Sequence, residues 1–272
     1  MTSPTRRRRR GWIKIGLTGL GVLVVSLFAF YRWQPWEYEV FPAPRPLAGR
    51  LDPDSSRLFS KGTRVLVVTA HPDDAEFYIG GLLTKLGRAG CWITLVCVTD
   101  GDKGYYPFED AEANRRVRRR EQADAARAWG ASEVVYLGFP DGRLKVTDEV
   151  VDTIHAELLR LTPEYILTFD GEHPTRLRHR DHRRTGVAVE RALRQTPIGS
   201  WLLRFSTSSP NYAVDIGDVW ENKMRLVAIH ASQFYGERLR RIRSLLRSRA
   251  EADARLLGSE LAEGLRVSRL PL

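Results

Sequence analysis

A histidine and two neighbouring aspartates follow the apolar run that predicts the first strand of the chain. The run spans residues 64–70, is rich in β-branched residues, and is followed at once by His71-Pro72-Asp73-Asp74. Consecutive side chains of an extended segment point in different directions, so Asp74 can bind a metal ion while Asp73 faces the attacking water. Either aspartate could instead cap the helix that follows, but a cap requires no histidine beside it. The segment predicts a metal site with an adjacent general base.

A second cluster, His179-Arg180-Asp181-His182, precedes a later helical pattern. A spacing of three residues places its two histidines on one side of a turn, where one can bind the metal and the other can face the site. Two histidines and one carboxylate leave a position for water, as in catalytic zinc sites, and iron(II) accepts the same donors. Such a metal acidifies water and polarises a carbonyl, which suits hydrolysis of an amide. The second histidine would stabilise the oxyanion, with Asp181 orienting it.

The order of strand and helix patterns explains how both clusters reach one place. Runs rich in β-branched residues predict strands, and amphipathic segments between them predict helices. This alternation is typical of an α/β, Rossmann-like three-layer fold with a mostly parallel sheet, in which ligands bind beyond the carboxyl ends of the strands. A dinucleotide site is not predicted, because Gly80 and Gly81 fall inside the helix after the first strand. The arginine-rich tail from Val219 to the end is expected to be helical. The predicted strands begin near residues 64, 92, 134, 165 and 202.

The first part of the chain has a distinct composition. Arg6–Arg10 precede an uncharged apolar stretch at 15–31, and a basic run before such a stretch favours the cytoplasmic side of a membrane. We therefore expect a single-pass membrane protein with a cytoplasmic N-terminus and an outward-facing catalytic domain. A cleaved signal peptide or a buried core helix would be the alternatives. Half of the net charge of +10 comes from the five arginines of this run, so nucleic-acid binding is not predicted. The expected divisions are a basic tail at 1–14, a transmembrane signal anchor at 15–33, a proline-rich linker at 34–61 and a catalytic domain at 62–272.

These motifs resemble the PIG-L, or LmbE-like, family of zinc-dependent N-deacetylases. The two clusters match the family's two main motifs as His71-Pro-Asp-Asp and His179-x-Asp-His182. Smaller matches extend the resemblance from about residue 64 to the tail. These are Arg118-Arg-Arg-Glu121, Tyr136-Leu-Gly-Phe-Pro-Asp-Gly142, and Lys223 with His230-Ala-Ser-Gln233.

The resemblance implies a role for each residue of the site. Arg118 and Asp141 match positions that contact the phosphate or sugar of the substrate, although on the residues alone Arg118 could be a surface charge and Asp141 part of a turn. His230 and Gln233 could support the core or the rim of the site. The remaining implied roles are metal ligand for His71, Asp74 and His182, general base for Asp73, and oxyanion residue for His179.

The expected activity is removal of the acetyl group from an N-acetylglucosamine-like sugar conjugate, with zinc or iron(II) as cofactor. An outward-facing domain would favour a lipid- or glycan-linked sugar as the substrate. One rival hypothesis is a zinc amidase acting on a non-sugar N-acyl group. Another is a non-catalytic, membrane-tethered carbohydrate-binding protein, against which the complete set of metal, base and oxyanion candidates argues.

Overall fold

A computed structural model describes residues 55–104, 110–172, 180–195 and 199–270. Helices and strands alternate along the chain from the first strand to the fifth. The strands are β1 Arg64–Thr69, β2 Trp92–Thr99, β3 Glu133–Phe139, β4 Tyr165–Phe169, β5 Trp201–Phe205, β6 Tyr212–Asp215 and β7 Ala262–Arg269. The α-helices are α1 Ser55–Leu58, α2 Asp74–Arg88, α3 Ala111–Trp129, α4 Asp148–Leu161, α5 Arg180–Gln195, α6 Trp220–Ile229 and α7 Gly236–Ala254.

The described strands form one sheet of seven, in the order β3-β2-β1-β4-β5-β7-β6. The first five strands in this order run parallel to one another, whereas β7 is antiparallel to both β5 and β6. Nearly every residue of β1, β2 and β4 is buried, as expected for parallel strands covered on both faces. This is the mostly parallel α/β sheet that the alternation of elements predicted.

Alternate residues of β1 face the two helical layers. Leu66 and Val68 belong to a core cluster that includes residues of α4 and α5. Val65 and Val67 point to the opposite face of the sheet, where α2 packs with α3 and α6. The two layers of helices hold the central strands from both sides.

The tail departs from its predicted structure at β7. Its helices α6 and α7 are present, but residues 262–269 form a strand inserted between β5 and β6. Leu265 and Val267 are buried and alternate with the half-buried Arg266 and Ser268, which is the two-residue period of a strand. The prediction of a wholly helical tail is therefore wrong, because this alternation outweighs the high arginine content.

A kink in α2 connects this helix to the tail strand. The backbone of Ile79 is non-helical, with φ −130° and ψ 25°. Just after the interruption, the N–H groups of Gly81 and Leu82 donate to the carboxylate of Glu263 in β7, at 2.9 and 2.7 Å. The same carboxylate pairs with the buried ammonium of Lys223 in α6 at 2.7 Å. Glu263 thus caps the second half of α2 from the other end of the chain.

The predicted membrane helix is corrected by the structure. Among the described residues, no helix is sufficiently long and apolar to cross a bilayer. The longest of them, α3 and α7, have 19 residues each and carry many arginines. The expected anchor at 15–33 and the basic tail at 1–14 lie outside the described residues. The fold class is therefore corrected to the mostly parallel α/β sheet alone, and the localisation that depended on the anchor is withdrawn.

Candidate active site

The two predicted clusters, 71–74 and 179–182, follow β1 and β4, the neighbouring strands where the direction of strand order changes. β1 is flanked by β2 on one side and β4 on the other, and crevices form at such switch points beyond the carboxyl ends of the strands. His71 follows β1 directly, and His182 lies in the first turn of α5, the helix that follows β4 in chain order. The fold therefore brings together residues 111 positions apart, as the strand-end rule predicted.

Three side chains form the predicted metal-binding group. The Nε2 atom of His182 lies 3.0 Å from Oδ1 of Asp74 and 3.2 Å from Nδ1 of His71. The other Asp74 oxygen accepts hydrogen bonds from the backbone N–H groups of Ala70 and His71, at 3.1 and 2.7 Å. One ligand atom from each of the three residues can be chosen so that all lie within 4.8 Å of one another. This arrangement of two nitrogens and one oxygen suits a single small cation.

An aromatic ring fixes the orientation of His182. Phe169, the last residue of β4, stacks on the imidazole with 4.2 Å between ring centroids and an angle of 5° between the planes. Phe205 at the end of β5 packs edge-on against Phe169. Neither phenylalanine was predicted as a residue of the site. Their positions at strand ends beside the site are a signal that could have identified them.

Two aspartates lie on the far side of the His71 ring. Its Nε2 atom is 3.2 Å from Oδ1 of Asp141 and 3.7 Å from Oδ2 of Asp181. Backbone N–H groups hold these carboxylates, from Lys103 to Asp141 at 2.9 Å and from Gly142 to Asp181 at 2.6 Å. Metal-binding histidines commonly donate their second ring N–H to a carboxylate, which fixes the tautomer and the ring orientation. The structure thus places Asp141 and Asp181 against a candidate metal ligand.

These positions bear on two further predictions. Asp181 was predicted to orient His179, and Asp141 to contact the substrate. His179 lies outside the described residues, so its role as the oxyanion residue, and its orientation by Asp181, stay predictions. The substrate contact of Asp141 also stays a prediction, now beside an observed contact with His71.

The surrounding carboxylates make the site favourable for positive charge. Burial by itself lowers the pKa of His71, but its contacts with Asp141, Asp181 and Asp74 outweigh burial and raise this pKa well above its usual value. Burial raises the pKa of Asp74, but the neighbouring His182 and His71 outweigh that effect and lower the pKa well below its usual value. A divalent cation would meet the same electrostatic demand while binding all three ligands. The residues present therefore fit zinc or iron(II).

Asp73 lies beside this group and in contact with Arg118. Nη2 of Arg118 donates to Oδ2 of Asp73 at 2.9 Å and to the backbone carbonyl of Pro72 at 2.5 Å, while Nη1 donates to the carbonyl of Gly101 at 2.7 Å. The Arg118 side chain is 5% exposed, so the surface-charge interpretation is excluded. Burial and the nearby Asp74 raise the pKa of Asp73, although Arg118 partly opposes them. A raised pKa suits a general base, because the carboxylate then holds a proton more readily.

A buried polar cluster behind Asp73 was not predicted as part of the site. Glu76, which is fully buried, accepts hydrogen bonds from Gln122 at 2.8 Å and Trp129 at 2.7 Å, and its other oxygen lies 3.0 Å from Nε2 of His230. The sequence offered His230 as a residue of the core or rim, and the structure places it in the core. The spacing of Arg118, Gln122 and Trp129 along one face of α3 is the signal that could have identified the cluster.

Replacing Asp141 by asparagine is expected to weaken zinc binding about 10- to 100-fold. The amide lacks the charge with which Asp141 holds the His71 ring. Competition with a chromophoric chelator measures the affinity, and the exposed Asp124→Asn on α3 is the matched control. Unchanged zinc affinity together with a raised KM would assign Asp141 to the substrate alone.

The sequence is similar to a known protein family and to named relatives. Residues 66–193, which include every residue predicted to bind the metal or the substrate or to take part in catalysis, match the PIG-L family, described as GlcNAc-PI de-N-acetylase. A probable N-acetyl-alpha-D-glucosaminyl L-malate deacetylase 2 of Bacillus cereus is 31% identical over 185 residues, covering 62% of this chain and 83% of the relative. The diacetylchitobiose deacetylase of Thermococcus kodakarensis is 29% identical over 237 residues, covering 81% and 88%.

A solved structure extends the likeness to most of the fold. The N,N'-diacetylchitobiose deacetylase from Pyrococcus horikoshii, in complex with an inhibitor, superposes with a TM-score of 0.72 at 28% identity. The match covers 80% of this chain and 87% of that structure. The sequence resemblance to the family is therefore confirmed. This chain belongs to the PIG-L family and is an N-deacetylase, a hydrolase of N-acetyl amide bonds.

Proposed function

We propose that this protein removes the acetyl group from N-acetylglucosamine-like sugar conjugates by metal-assisted hydrolysis, with Asp73 as the general base. The observation that carries the proposal is the convergence of His71, Asp74 and His182 within 4.8 Å, with Asp73 next to them in sequence. A site of this kind leaves room for water and an amide carbonyl.

The metal ion would be held by His71, Asp74 and His182. When bound, zinc or iron(II) supplies Lewis acidity, which lowers the pKa of water and polarises the amide carbonyl. The contact of Asp141 with Nε2 of His71 leaves Nδ1 as the nitrogen directed at Asp74 and His182. Asp141 and Asp74 therefore fix both edges of the imidazole.

Asp73 would carry the proton through the reaction. Its carboxylate takes a proton from the attacking water as the new C–O bond forms, and returns that proton to the sugar nitrogen as the C–N bond breaks. The products are acetate and a free amine. The proposed oxyanion residue, His179, would stabilise the negative charge on the former carbonyl oxygen.

The sugar is proposed from what the relatives have in common. Their names describe an N-acetylglucosaminyl malate and diacetylchitobiose as substrates, which differ in the group attached to an acetylated glucosamine. The shared unit is the acetylated sugar, and this unit is the part of the substrate that we assign to the site.

A substrate panel tests this assignment. We expect the purified full-length chain, loaded with zinc, to release acetate from N,N'-diacetylchitobiose or N-acetylglucosaminyl malate and to leave N-acetyl-lysine intact. Acetate and free amine are measured in parallel, and Asp73→Asn serves as the control with strongly reduced activity. Turnover of N-acetyl-lysine without turnover of either sugar would support the alternative amidase and reject the sugar proposal.

A further inference from the structure

The backbone of Asp73 adopts a conformation that aspartate seldom takes. Its φ is 100° and its ψ is −26°, and only two other non-glycine residues among those described, Thr162 and Ser206, have positive φ. Such a conformation persists only where the surroundings hold it, and these residues concentrate at functional sites. The side-chain direction of Asp73 therefore depends on the contacts that fix its backbone.

Gln122 of α3 holds this backbone directly. Its Oε1 atom accepts the N–H of Asp73 at 2.9 Å, and the side chain is buried. One turn earlier on the same helix, Arg118 donates to the carbonyl of Pro72 and to the Asp73 carboxylate. A single face of α3 thus contacts the peptide unit before Asp73 and the Asp73 side chain.

The Gln122 amide has one productive orientation, and Glu76 selects it. Nε2 of Gln122 donates to Oε1 of Glu76 at 2.8 Å. An inverted amide would place its oxygen against that carboxylate and its NH2 group against the N–H of Asp73, so both contacts would become repulsive. Glu76 is itself fixed by Trp129 and His230. The buried Glu76 carboxylate therefore fixes the orientation of the Gln122 amide, and this amide in turn holds the Asp73 backbone.

We infer that Gln122 and Glu76 are positioning residues that direct the Asp73 carboxylate toward the attacking water. Gln122 acts on the Asp73 backbone, and Glu76 acts by fixing the orientation of the Gln122 amide. The inference rests on the proposed role of Asp73 as the general base. It adds to that role a buried hydrogen-bond network that sets the geometry of the base. The network joins residues of α2 and α3 to His230, the residue after α6.

The replacement Gln122→Met tests the inference, because methionine has a similar length but neither accepts from Asp73 nor donates to Glu76. We expect kcat to fall by between about 10-fold and 100-fold, since small misplacements of a catalytic group have effects of this size. KM should stay within twofold of the wild-type value, and the zinc content should be unchanged. The matched control is Arg120→Met, an exposed position on the same helix, which should retain wild-type kcat.

The same change in an Asp73→Asn background separates positioning from a general structural role. If Gln122 acts through the base, Gln122→Met should lower the residual kcat of Asp73→Asn by less than twofold. An equal loss in both backgrounds would overturn the inference, as would an unchanged kcat in the wild-type background. If Asp73→Asn alone retained wild-type kcat, the proposed base would fail and this inference with it.

A second variant covers the case in which Gln122→Met does not fold, as judged by thermal unfolding. Gln122→Asn retains the amide but is one methylene shorter, so it cannot reach Asp73 and Glu76 together. The same two criteria apply, namely a loss of kcat at unchanged KM and the disappearance of that loss in the Asp73→Asn background. Failure of either criterion rejects the positioning role.

Discussion

Replacing Asp73 by asparagine is expected to lower the kcat of deacetylation by about 10²- to 10⁴-fold. Asparagine has the same shape but cannot take a proton from water. Its side-chain oxygen can still accept the hydrogen bond from Arg118, which now reaches Asp73 at 2.9 Å. The loss of kcat is measured by steady-state kinetics on a sugar that the wild-type protein deacetylates. The zinc content is measured by mass spectrometry.

The metal content distinguishes a lost base from a damaged site. We expect the Asp73→Asn protein to bind one equivalent of zinc, because its ligands remain in place. Exposed Asp124→Asn, which makes the same chemical change on the surface of α3, should retain wild-type kcat and zinc. Wild-type turnover by Asp73→Asn would show that another group removes the proton.

Removing the metal should abolish turnover, and restoring zinc or iron(II) should recover it. The wild-type chain is dialysed against a chelator, assayed, and then titrated with each metal under anaerobic conditions. We expect turnover to be lost because His71, Asp74 and His182 by themselves cannot polarise an amide as a divalent cation does. His182→Ala should stay inactive at one equivalent of zinc, because it lacks a proposed ligand whose Nε2 atom lies 3.0 Å from Asp74.

The comparison of the two metals also answers the question of cofactor identity. Histidine and carboxylate donors suit both ions, so kcat at one equivalent of each metal gives the better cofactor. His155→Ala changes a histidine on α4 that belongs to neither cluster, and it is the matched control for His182→Ala. Full activity of the chelated protein would reject the metal-assisted reaction.

The central part of the site was predictable because it follows from strand order. Parallel strands end at the same edge of a sheet, so residues placed directly after β1 and in the first turn of α5 had to converge. His71 and Asp74 therefore followed from their positions and residue types. The choice of His182 over His179 as a proposed ligand depended on family resemblance. The structure places Nε2 of His182 3.0 Å from Asp74, whereas His179 lies outside the described residues.

The supporting contacts could not be derived in the same way. Glu76 and His230 are separated by 154 residues and meet at 3.0 Å because α2 and α6 pack side by side. No periodicity in the sequence specifies which side chains meet across two packed helices. The same limit applies to Asp141, whose contact with His71 depends on the path of the loop after β3.

The cap that Glu263 places on α2 has a consequence for the order in which the enzyme matures during synthesis. In α2, the N–H groups of Gly81 and Leu82 donate to the carboxylate of Glu263, which lies more than 180 residues later in the chain. A chain synthesised only to the end of the family-matched region, residue 193, would contain the proposed ligands His71, Asp74 and His182 but would lack the carboxylate that caps the second half of α2. We therefore expect the second half of α2 to gain this cap only after β7 has been synthesised and has inserted between β5 and β6.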